Sequence, residues 1–530
     1  MLLLSMALGA APLEAAQGNE PGRYLIQYRD GNAEALRELI AANGGTVAFD
    51  YAALINGLAA DLPPRAQRAV RSSGLATTME RDGVRTLHEL PAGFPTDFEE
   101  FVGWGPDRIE ADAVWSTGPN PGEADDGIAF PEVAQPSITG ADVIVGVLDS
   151  GIDYEHPDLA ANILDLRGDG LIRDFLDDDE DPTDSAGNGH GSSVASVIAS
   201  VDNEVGLIGV APEAQISPYR VCNVTCPISA IIGALVQAVA DGAHVVNMSF
   251  GGPAGMNIEA STMQAANARG VLLVASAGNE ASQQPSFPAA YGTVLAVGAT
   301  DIDDNPASFT NVGGWVDVTG PGVAVAAATC GECGRLARME ETSPTPRTLS
   351  PNPMTGTALG SLTDTEIVHV GQACDADVLA DNPDGRIALI VRGTCAFAEK
   401  VINAEEAGAV GTVIYNNAPG NFFGTLGDVT SDGPSVSLSQ EEGLALLEDI
   451  ETGATEVNLE VVATDYELVN GTSFSGPHVA GVAALVKSIN PELSPIEVRK
   501  IITATAEPLG RKVIFGSGMV RADRAVRAAQ

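Results

Sequence analysis

Lysine is nearly absent from this chain, and basic residues of any kind are few. The 530 residues include 27 Lys and Arg against 71 Asp and Glu, which gives a formal net charge of −44 at pH 7. Lysine occurs at four positions only: Lys400, Lys487, Lys500 and Lys512. Because so acidic a surface would repel phosphates, the charge argues against nucleic acid as a partner. It fits a protein that works in saline surroundings, where salt screens the self-repulsion.

Long apolar runs and cysteines are also scarce. No apolar run approaches the roughly 18 residues that a membrane span needs, so no span is predicted. The 6 cysteines are few for a disulfide scaffold, but their number is even. They fall in local pairs: Cys222 with Cys226, Cys330 with Cys333, and Cys374 with Cys395. These pairs are disulfide candidates, although the first two could together form a four-cysteine zinc site.

Length and apolar content set the scale of the architecture. Hydrophobic residues make up 45% of the chain, which excludes general disorder. A chain of 530 residues is too long for one core, and about three domains are expected. Residues 1–18 combine an apolar stretch with small residues and are interpreted as a signal peptide, although its basic n-region is missing. A truncated start would explain that lack, and an ordinary N-terminal tail is the alternative.

Three glycine-flanked turns carry the side chains of a nucleophilic catalyst. Asp149 ends an unbroken apolar run, which indicates a buried strand whose carboxyl end is the usual place for a ligand site. His190 lies between glycines at the start of a small-residue helix. Ser473 lies where a glycine-rich turn enters an apolar helix, whose free N–H groups favour an oxyanion. Since a serine nucleophile needs a base and the base an orienting acid, the three form a candidate set.

Two further apolar segments complete a pattern that can be named. One ends in Gly-Asn at Asn279, and the other ends in Ser-x-Gly-Gly at residues 249–252. With the order Asp149, His190, Ser473, these segments resemble the subtilisin-like serine proteases, the subtilase family. The resemblance implies an oxyanion hole made by the Asn279 side chain and the Ser473 backbone N–H. It also implies a substrate-binding site at Ser249, Phe250, Gly251, Ala275, Ser276, Ala277 and Gly278.

The resemblance implies a fold and a reaction. The fold is α/β, a doubly wound and mostly parallel sheet. The reaction is peptide-bond hydrolysis through an acyl-enzyme, in which Ser473 attacks, His190 transfers the proton and Asp149 orients His190. No cofactor is required for this chemistry, and polypeptides are the expected substrates. The acidic stretch 174–184 could hold a structural calcium ion, but a solvated charge run is the favoured interpretation and the metal site stays unknown.

The same resemblance divides the chain into parts. Residues 20–90 show a βαββαβ pattern that indicates a ferredoxin-like domain and resembles the family's inhibitory propeptide. Residues 91–103 are the expected linker and processing region, and residues 104–530 the catalytic domain. A strand–helix–strand pattern within 345–463 resembles the protease-associated (PA) domain that some subtilases carry as an insertion. The alternatives are a permanent accessory domain at the N-terminus and an inserted domain without effect on activity.

The implied function is a secreted endopeptidase that is made as a zymogen and inhibited by its own propeptide. The enzyme is expected to be a monomer. A secreted protein matures in an oxidising compartment, which favours disulfides over zinc at the cysteine pairs. Two departures from the family pattern are Ser192 and Ser193 after the histidine and Phe474-Ser475 after the nucleophile. Neither removes triad chemistry. A catalytically silent binding protein on the same fold is the alternative, and an esterase is opposed by the order of the triad.

Overall fold

The described part of the chain comprises two compact units. In the computed structural model it consists of residues 21–87, 90–91, 101–115, 137–184, 189–223, 225–331, 333–375, 379–422, 424–426 and 429–530. The predicted signal peptide lies outside these residues, as does most of the predicted linker. One unit extends to Gly83 and the other begins at Val84.

The first unit has the βαββαβ order that the sequence predicts. Its elements are β1 (Gly22–Tyr28), α1 (Ala33–Ala42), β2 (Thr46–Asp50), β3 (Gly57–Leu62), α2 (Pro64–Ser73) and β4 (Ala76–Arg81). The four strands form an antiparallel sheet in the order β2-β3-β1-β4. Leu36 and Ile40, one turn apart on α1, are buried against this sheet. The small unit thus has a hydrophobic core of its own.

The second unit begins with short strands and then alternates strands with helices. Up to the insertion its elements are β5 (Val84–Leu87), β6 (Leu90–Pro91), β7 (Phe101–Val102), α3 (Trp104–Arg108), α4 (Asp112–Trp115), β8 (Ile144–Asp149), α5 (His190–Ala199), β9 (Leu207–Ile208), β10 (Gln215–Arg220), β11 (Thr225–Pro227), α6 (Ile228–Ala240), β12 (Val245–Met248), β13 (Phe250–Gly251), α7 (Asn257–Ala268), β14 (Leu272–Ser276), β15 (Val294–Thr300), β16 (Val318–Pro321) and β17 (Val325–Ala328).

A six-stranded parallel sheet forms the centre of this unit. Its strand order is β10-β8-β12-β14-β15-β16, and every neighbouring pair is parallel. The strands are apolar along nearly their whole length because helices cover both faces of such a sheet. The predicted α/β class with a doubly wound, mostly parallel sheet is confirmed. Since all six strands run the same way, their carboxyl ends meet at one edge, where ligand sites form.

A separate sheet lies in the inserted segment. Its elements are β18 (Gly334–Ser343), β19 (Arg347–Leu349), β20 (Asn352–Pro353), β21 (Gly360–Gly371), β22 (Ile387–Val391), α8 (Phe397–Glu406), β23 (Gly411–Tyr415), β24 (Ser435–Leu438), α9 (Gln440–Thr452) and β25 (Thr455–Thr464). Eight strands form it in the order β19-β18-β25-β21-β22-β23-β24-β20. Ser439 and Glu442 begin α9 with reciprocal side-chain-to-backbone hydrogen bonds.

The chain then returns to the parallel sheet through a long buried helix. The closing elements are β26 (Tyr466–Asn470), α10 (Thr472–Ile489), α11 (Pro495–Thr505), α12 (Lys512–Phe515) and α13 (Ala522–Ala529). Helix α10 is buried from Thr472 to Lys487. No helix among the described residues is both long and apolar enough to cross a membrane.

The six cysteines form three disulfides. The bonds join Cys222 to Cys226, Cys330 to Cys333, and Cys374 to Cys395. A zinc site needs thiolates, which a disulfide does not offer. The disulfide interpretation of the pairs therefore holds against the zinc alternative.

Candidate active site

Asp149 is the last residue of β8, at the carboxyl edge of the parallel sheet. Its carbonyl oxygen accepts hydrogen bonds from the backbone N–H groups of Val221 and Cys222, at 2.8 and 3.0 Å. Its carboxylate accepts one from the backbone N–H of Ser150, at 2.8 Å. Both the strand end and the carboxylate are therefore fixed by backbone contacts.

His190 is the first residue of α5 and faces Asp149 directly. Its Nδ1 lies 2.6 Å from Oδ1 of Asp149, and the two side chains are 0% and 1% exposed. A carboxylate can only accept here, so Nδ1 carries the hydrogen and Nε2 is the basic nitrogen of the ring. Glycine is required after the histidine, because a Cβ on Gly191 would lie 3.1 Å from the Asp149 Cβ and collide with the carbonyl oxygen of Gly151.

Ser473 is the second residue of α10. Two reciprocal hydrogen bonds join it to Ser249, the residue between β12 and β13. Its Oγ donates to the carbonyl oxygen of Ser249 at 3.0 Å, and the Ser249 hydroxyl donates to the carbonyl oxygen of Ser473 at 2.7 Å. The next residue, Phe474, places its ring centroid 5.6 Å from that of His190. Ser473 thus lies in the first turn of the buried helix α10, next to α5, the helix that begins with His190.

Asn279 points a buried amide at the same region. Its Oδ1 accepts from the backbone N–H and the hydroxyl of Thr472, at 3.0 and 2.9 Å. Its Nδ2 is buried and has no acceptor within the described ranges. A buried donor without an acceptor is rare and needs an explanation. A negatively charged oxygen on a reacting carbonyl would supply the missing acceptor.

The expected substrate-binding edge is occupied by the chain itself. Strand β5 lies between β13 and β11 and is antiparallel to both, with Thr86 opposite Gly251 on one side and Thr225 on the other. Phe250 pairs with Leu87. A segment from before the parallel sheet therefore forms the middle strand of a three-stranded sheet at this edge.

The remaining predicted binding residues line the end of β14. Ala275, Ser276 and Ala277 are buried, and a Cβ on Gly476 of α10 would lie 3.8 Å from the Ser276 nitrogen. Gly278 has a φ of +105°, which glycine tolerates, and its N–H donates to the Thr472 hydroxyl at 3.0 Å. This segment is thus linked through Thr472 to the helix that bears Ser473.

Comparison with known proteins identifies the chain. A model of the subtilase family matches residues 140–365 and 448–518, which is more than half of the chain. The chain belongs to the subtilase family. A PA domain model matches residues 360–446, inside the predicted insertion. This subtilase is therefore a serine-type endopeptidase with an inserted PA domain.

Several known proteins are similar to it. M-protease of Shouchella clausii (strain KSM-K16) is 26% identical over 434 residues, 82% of this chain and 72% of that protein. Subtilisin BL of Lederbergia lenta is 27% identical over 428 residues, 80% of this chain and 99% of that one. The crystal structure of the psychrophilic subtilisin-like protease Apa1 from the Antarctic psychrotroph Pseudoalteromonas sp. AS-11 superposes with a TM-score of 0.55, at 28% identity, and covers 81% of this chain and 97% of its own.

The two serines that follow the histidine in this subtilase bind nearby polar groups. Ser192 donates to Asp184 at 3.0 Å and accepts from the backbone N–H of Asp153 at 2.9 Å. Ser193 donates to the carbonyl oxygen of Gly189 at 3.1 Å. Burial, together with the negative charge of Asp149, raises the pKa of Asp184 to about 7. Ser192, one of the two departures from the family pattern, thus provides a hydrogen bond to the buried carboxyl group of Asp184.

Two carboxylates of the acidic stretch 174–184 form ion pairs with an arginine elsewhere in the chain. Asp174 and Asp177 both accept from the Arg220 guanidinium, at 2.5 and 2.6 Å. Across the described ranges no group of three or more His, Cys, Asp or Glu side chains is arranged to hold a metal ion. Asp174 and Asp177 are thus paired with an arginine, and the alternative of a structural calcium ion in this stretch stays untested.

Sequence reasoning missed two parts of this site. One is β11, the second edge beside β5, which contains Cys226 of the Cys222–Cys226 disulfide. The other is Glu259 on α7, which meets Arg85 of β5 although 174 positions separate the two. No local signal links residues so far apart, whereas the cysteine loop could have indicated a fixed turn before β11.

Proposed function

We propose that this subtilase is a secreted endopeptidase that is made as a zymogen and processes itself. Its catalytic residues are Asp149, His190 and Ser473. The observation that carries the proposal is the position of β5 between β11 and β13. An extended peptide that adds a strand to this edge is bound by main-chain hydrogen bonds, which suit polypeptides of varied sequence.

The chemistry follows from the contacts of the three side chains. Ser473 attacks the peptide carbonyl and His190 takes its proton through Nε2, then returns it to the leaving amine. Asp149, 2.6 Å from Nδ1, holds the ring in the tautomer that keeps Nε2 basic and stabilises the imidazolium. Water then cleaves the acyl-enzyme by the same route in reverse. These groups supply every proton transfer, so the chemistry requires no cofactor.

The oxyanion would be held by two donors of different origin. One is the Asn279 amide, whose Nδ2 is buried without an acceptor in the described structure. The other is the backbone N–H of Ser473, at the start of α10, where helix N–H groups lack partners within the helix. Both donors are in place before the charge develops, which is what makes such sites effective.

The zymogen state would rest on the segment that precedes the catalytic domain. The unit that ends at Gly83 would be the body of the propeptide, and β5 its inhibitory tail. While β5 occupies the edge beside Phe250 and Gly251, a substrate cannot pair there. Cleavage within the predicted processing region, residues 91–103, and loss of the tail would open the site. We expect the mature enzyme to be a monomer, with the PA domain acting in substrate selection or stability.

A test of the nucleophile compares two serines of the same helix. We expect Ser473→Ala to abolish casein hydrolysis and covalent labelling by a fluorophosphonate, measured as a mass increase. Ser475→Ala is the matched control, because Ser475 is also buried on α10 but has no proposed part in the chemistry. It should keep labelling and most activity. Labelling that persists in Ser473→Ala, or wild-type enzyme that neither labels nor cleaves casein, would refute the proposal and favour a silent binding protein.

A further inference from the structure

A buried ion pair lies where β5 crosses helix α7. Arg85 donates from Nε to Oε1 of Glu259 at 3.2 Å and from Nη2 to Oε2 at 2.5 Å. The side chains of Arg85 and Glu259 are 3% and 0% exposed. A two-point contact of this kind matches the planar guanidinium to the planar carboxylate. The Arg85–Glu259 pair is thus a well-defined bidentate ion pair, and it lies outside the triad and the oxyanion site.

The carboxylate belongs to the enzyme and is held in place by it. Tyr291 donates its hydroxyl to Oε2 of Glu259 at 2.6 Å. The same hydroxyl accepts from the backbone N–H of Met256 at 2.7 Å, which fixes the tyrosine. Burial and the nearby Glu259 raise the pKa of Tyr291, so the hydroxyl keeps its proton and can donate. Glu259 therefore has a hydrogen-bond donor from the enzyme in addition to the arginine.

The walls of this pocket leave room for a long side chain. Gly252 faces the arginine, since a Cβ there would lie 3.1 Å from Nη1 and 3.4 Å from Cδ of Arg85. Phe287 pairs with Gly252 through two backbone hydrogen bonds of 3.0 and 2.8 Å, and its ring lies 4.8 Å from that of Tyr291. We refer to Gly252, Glu259, Phe287 and Tyr291 as the acidic pocket.

We propose that the acidic pocket is a substrate subsite that selects arginine, and next lysine, at the position that Arg85 occupies in β5. The proposal rests on the proposed function, because it takes β5 to lie in the path of the substrate. That position is one residue N-terminal to the residue that pairs with Gly251. Because Thr86 and Leu87 follow Arg85 within the strand, it is at least the third residue before the scissile bond of a peptide bound in this way.

The selectivity follows from the cost of a buried charge without a partner. A neutral side chain in the pocket would take water away from Glu259 without replacing it by a cation. Truncating one partner of such a pair commonly changes affinity by roughly 30- to 4,000-fold. Lysine should be accepted less well than arginine, because a point charge cannot satisfy both carboxylate oxygens in one plane. Arg85 itself would then help hold the inhibitory strand.

The test uses peptides that differ only in charge at this position. Enzyme obtained from the full-length chain is first given a mixed peptide library, and the cleavage sites are mapped by mass spectrometry. We expect arginine and lysine to be enriched at one position, three or more residues before the cut. Matched peptides with arginine, lysine or citrulline there are then compared by kcat/KM. Citrulline keeps the shape of arginine without its charge, and we expect it to be cleaved at least about 30-fold less efficiently.

Two variants assign the effect to the pocket. Glu259→Gln should reduce the arginine-to-citrulline ratio to below about 3-fold while citrulline peptide and casein are still cleaved. Glu492→Gln removes a charge from the exposed surface and should leave the ratio unchanged. A wild-type ratio near one, or an undiminished ratio in Glu259→Gln, would overturn the proposal.

A second measurement is independent of activity and separates this proposal from the proposed function. Wild-type enzyme that cleaves no peptide would count against the protease itself, and the pocket is then tested in the Ser473→Ala chain. There, Arg85→Leu and Glu259→Leu should each lower Tm by several degrees, and the double variant should regain most of the loss. Losses that simply add would show that the two side chains do not act as a pair, which contradicts the subsite.

Discussion

The proposed chemistry of this site depends on the geometry of single residues. The Asp149–His190 contact of 2.6 Å and the hydroxyl of Ser473, 3.0 Å from the Ser249 carbonyl oxygen, are set by backbone positions at a strand end and two helix starts. None of these side chains needs a long reach. The site can therefore be tested by changes that leave the backbone alone.

Asn279 offers the sharpest test at this scale. Replacement by alanine removes the buried amide donor, so the developing oxyanion loses one of its two partners. We expect kcat to fall by about 100- to 1,000-fold with little change in KM, a magnitude borrowed from the same kind of donor in subtilisin, a member of this family. Steady-state kinetics on a peptide substrate would measure both constants.

A control for Asn279 must separate the lost donor from a disturbed turn. Asn279 also accepts two hydrogen bonds from Thr472. Asn279→Asp keeps an acceptor for them and loses the amide donor, so it should be as inactive as the alanine variant but retain a Tm closer to wild type. A KM that rises while kcat is unchanged would contradict the oxyanion role.

At the scale of elements, helix α10 carries the proposed nucleophile and is also deeply buried. It is buried for most of its length although it contains Pro477 and His478. His478 Nδ1 lies 2.7 Å from the carbonyl oxygen of Phe474, and a Cβ on Gly105 of α3 would collide with its Nε2. Burial lowers the pKa of His478 to about 4. The helix therefore contains a histidine that the fold keeps neutral.

That histidine makes stability depend on pH with a definite sign. In the unfolded chain its pKa is near the ordinary value of 6.5, so between pH 6.5 and about 4 the unfolded state binds a proton that the folded state does not. Stability is complete above this window and is lost as pH falls through it, by up to about 1.4 kcal/mol per pH unit. From pH 7 to pH 5 we expect His478 to contribute a loss of about 2 kcal/mol.

The measurement is denaturant unfolding of the Ser473→Ala chain, which cannot digest itself, at pH 7 and pH 5. His478→Gln retains a side-chain donor but does not titrate, so its loss between the two pH values should be smaller by about 2 kcal/mol. Comparing the two chains cancels the other histidines, including His156 and His244, whose pKa values are also lowered by burial. An equal pH dependence in both would show that His478 is not held neutral.

At the scale of the whole molecule, the sequence was informative wherever the structure is local. Apolar runs such as the one before Asp149 predicted the parallel sheet because strands buried on both faces must be apolar throughout. The glycine-containing turns around His190 and Ser473 predicted that these two side chains lie at the starts of helices, as they do in α5 and α10. The PA domain was predicted from one strand–helix–strand pattern, and a family model matches residues 360–446.

What could not be predicted depends on pairing across long distances. Nothing local distinguishes β5 from any extended segment, and only the resemblance to the family's inhibitory propeptide pointed to it. Its partners lie more than a hundred residues away, at β11 and β13. The Arg85–Glu259 pair has the same cause. Likewise, β18 pairs with β25 and extends the inserted sheet to residues before the predicted boundary at 345. Such contacts are fixed by the fold as a whole.

The most direct test of self-processing is the intact mass of two secreted products, wild type and Ser473→Ala, each expressed in full and measured at several salt concentrations. We predict that wild type loses the unit that ends at Gly83 together with β5, whereas Ser473→Ala retains both. This result would show that removal of the strand paired with β11 and β13 depends on Ser473. Loss of the same segment from both chains, or from neither, would contradict self-processing by Ser473.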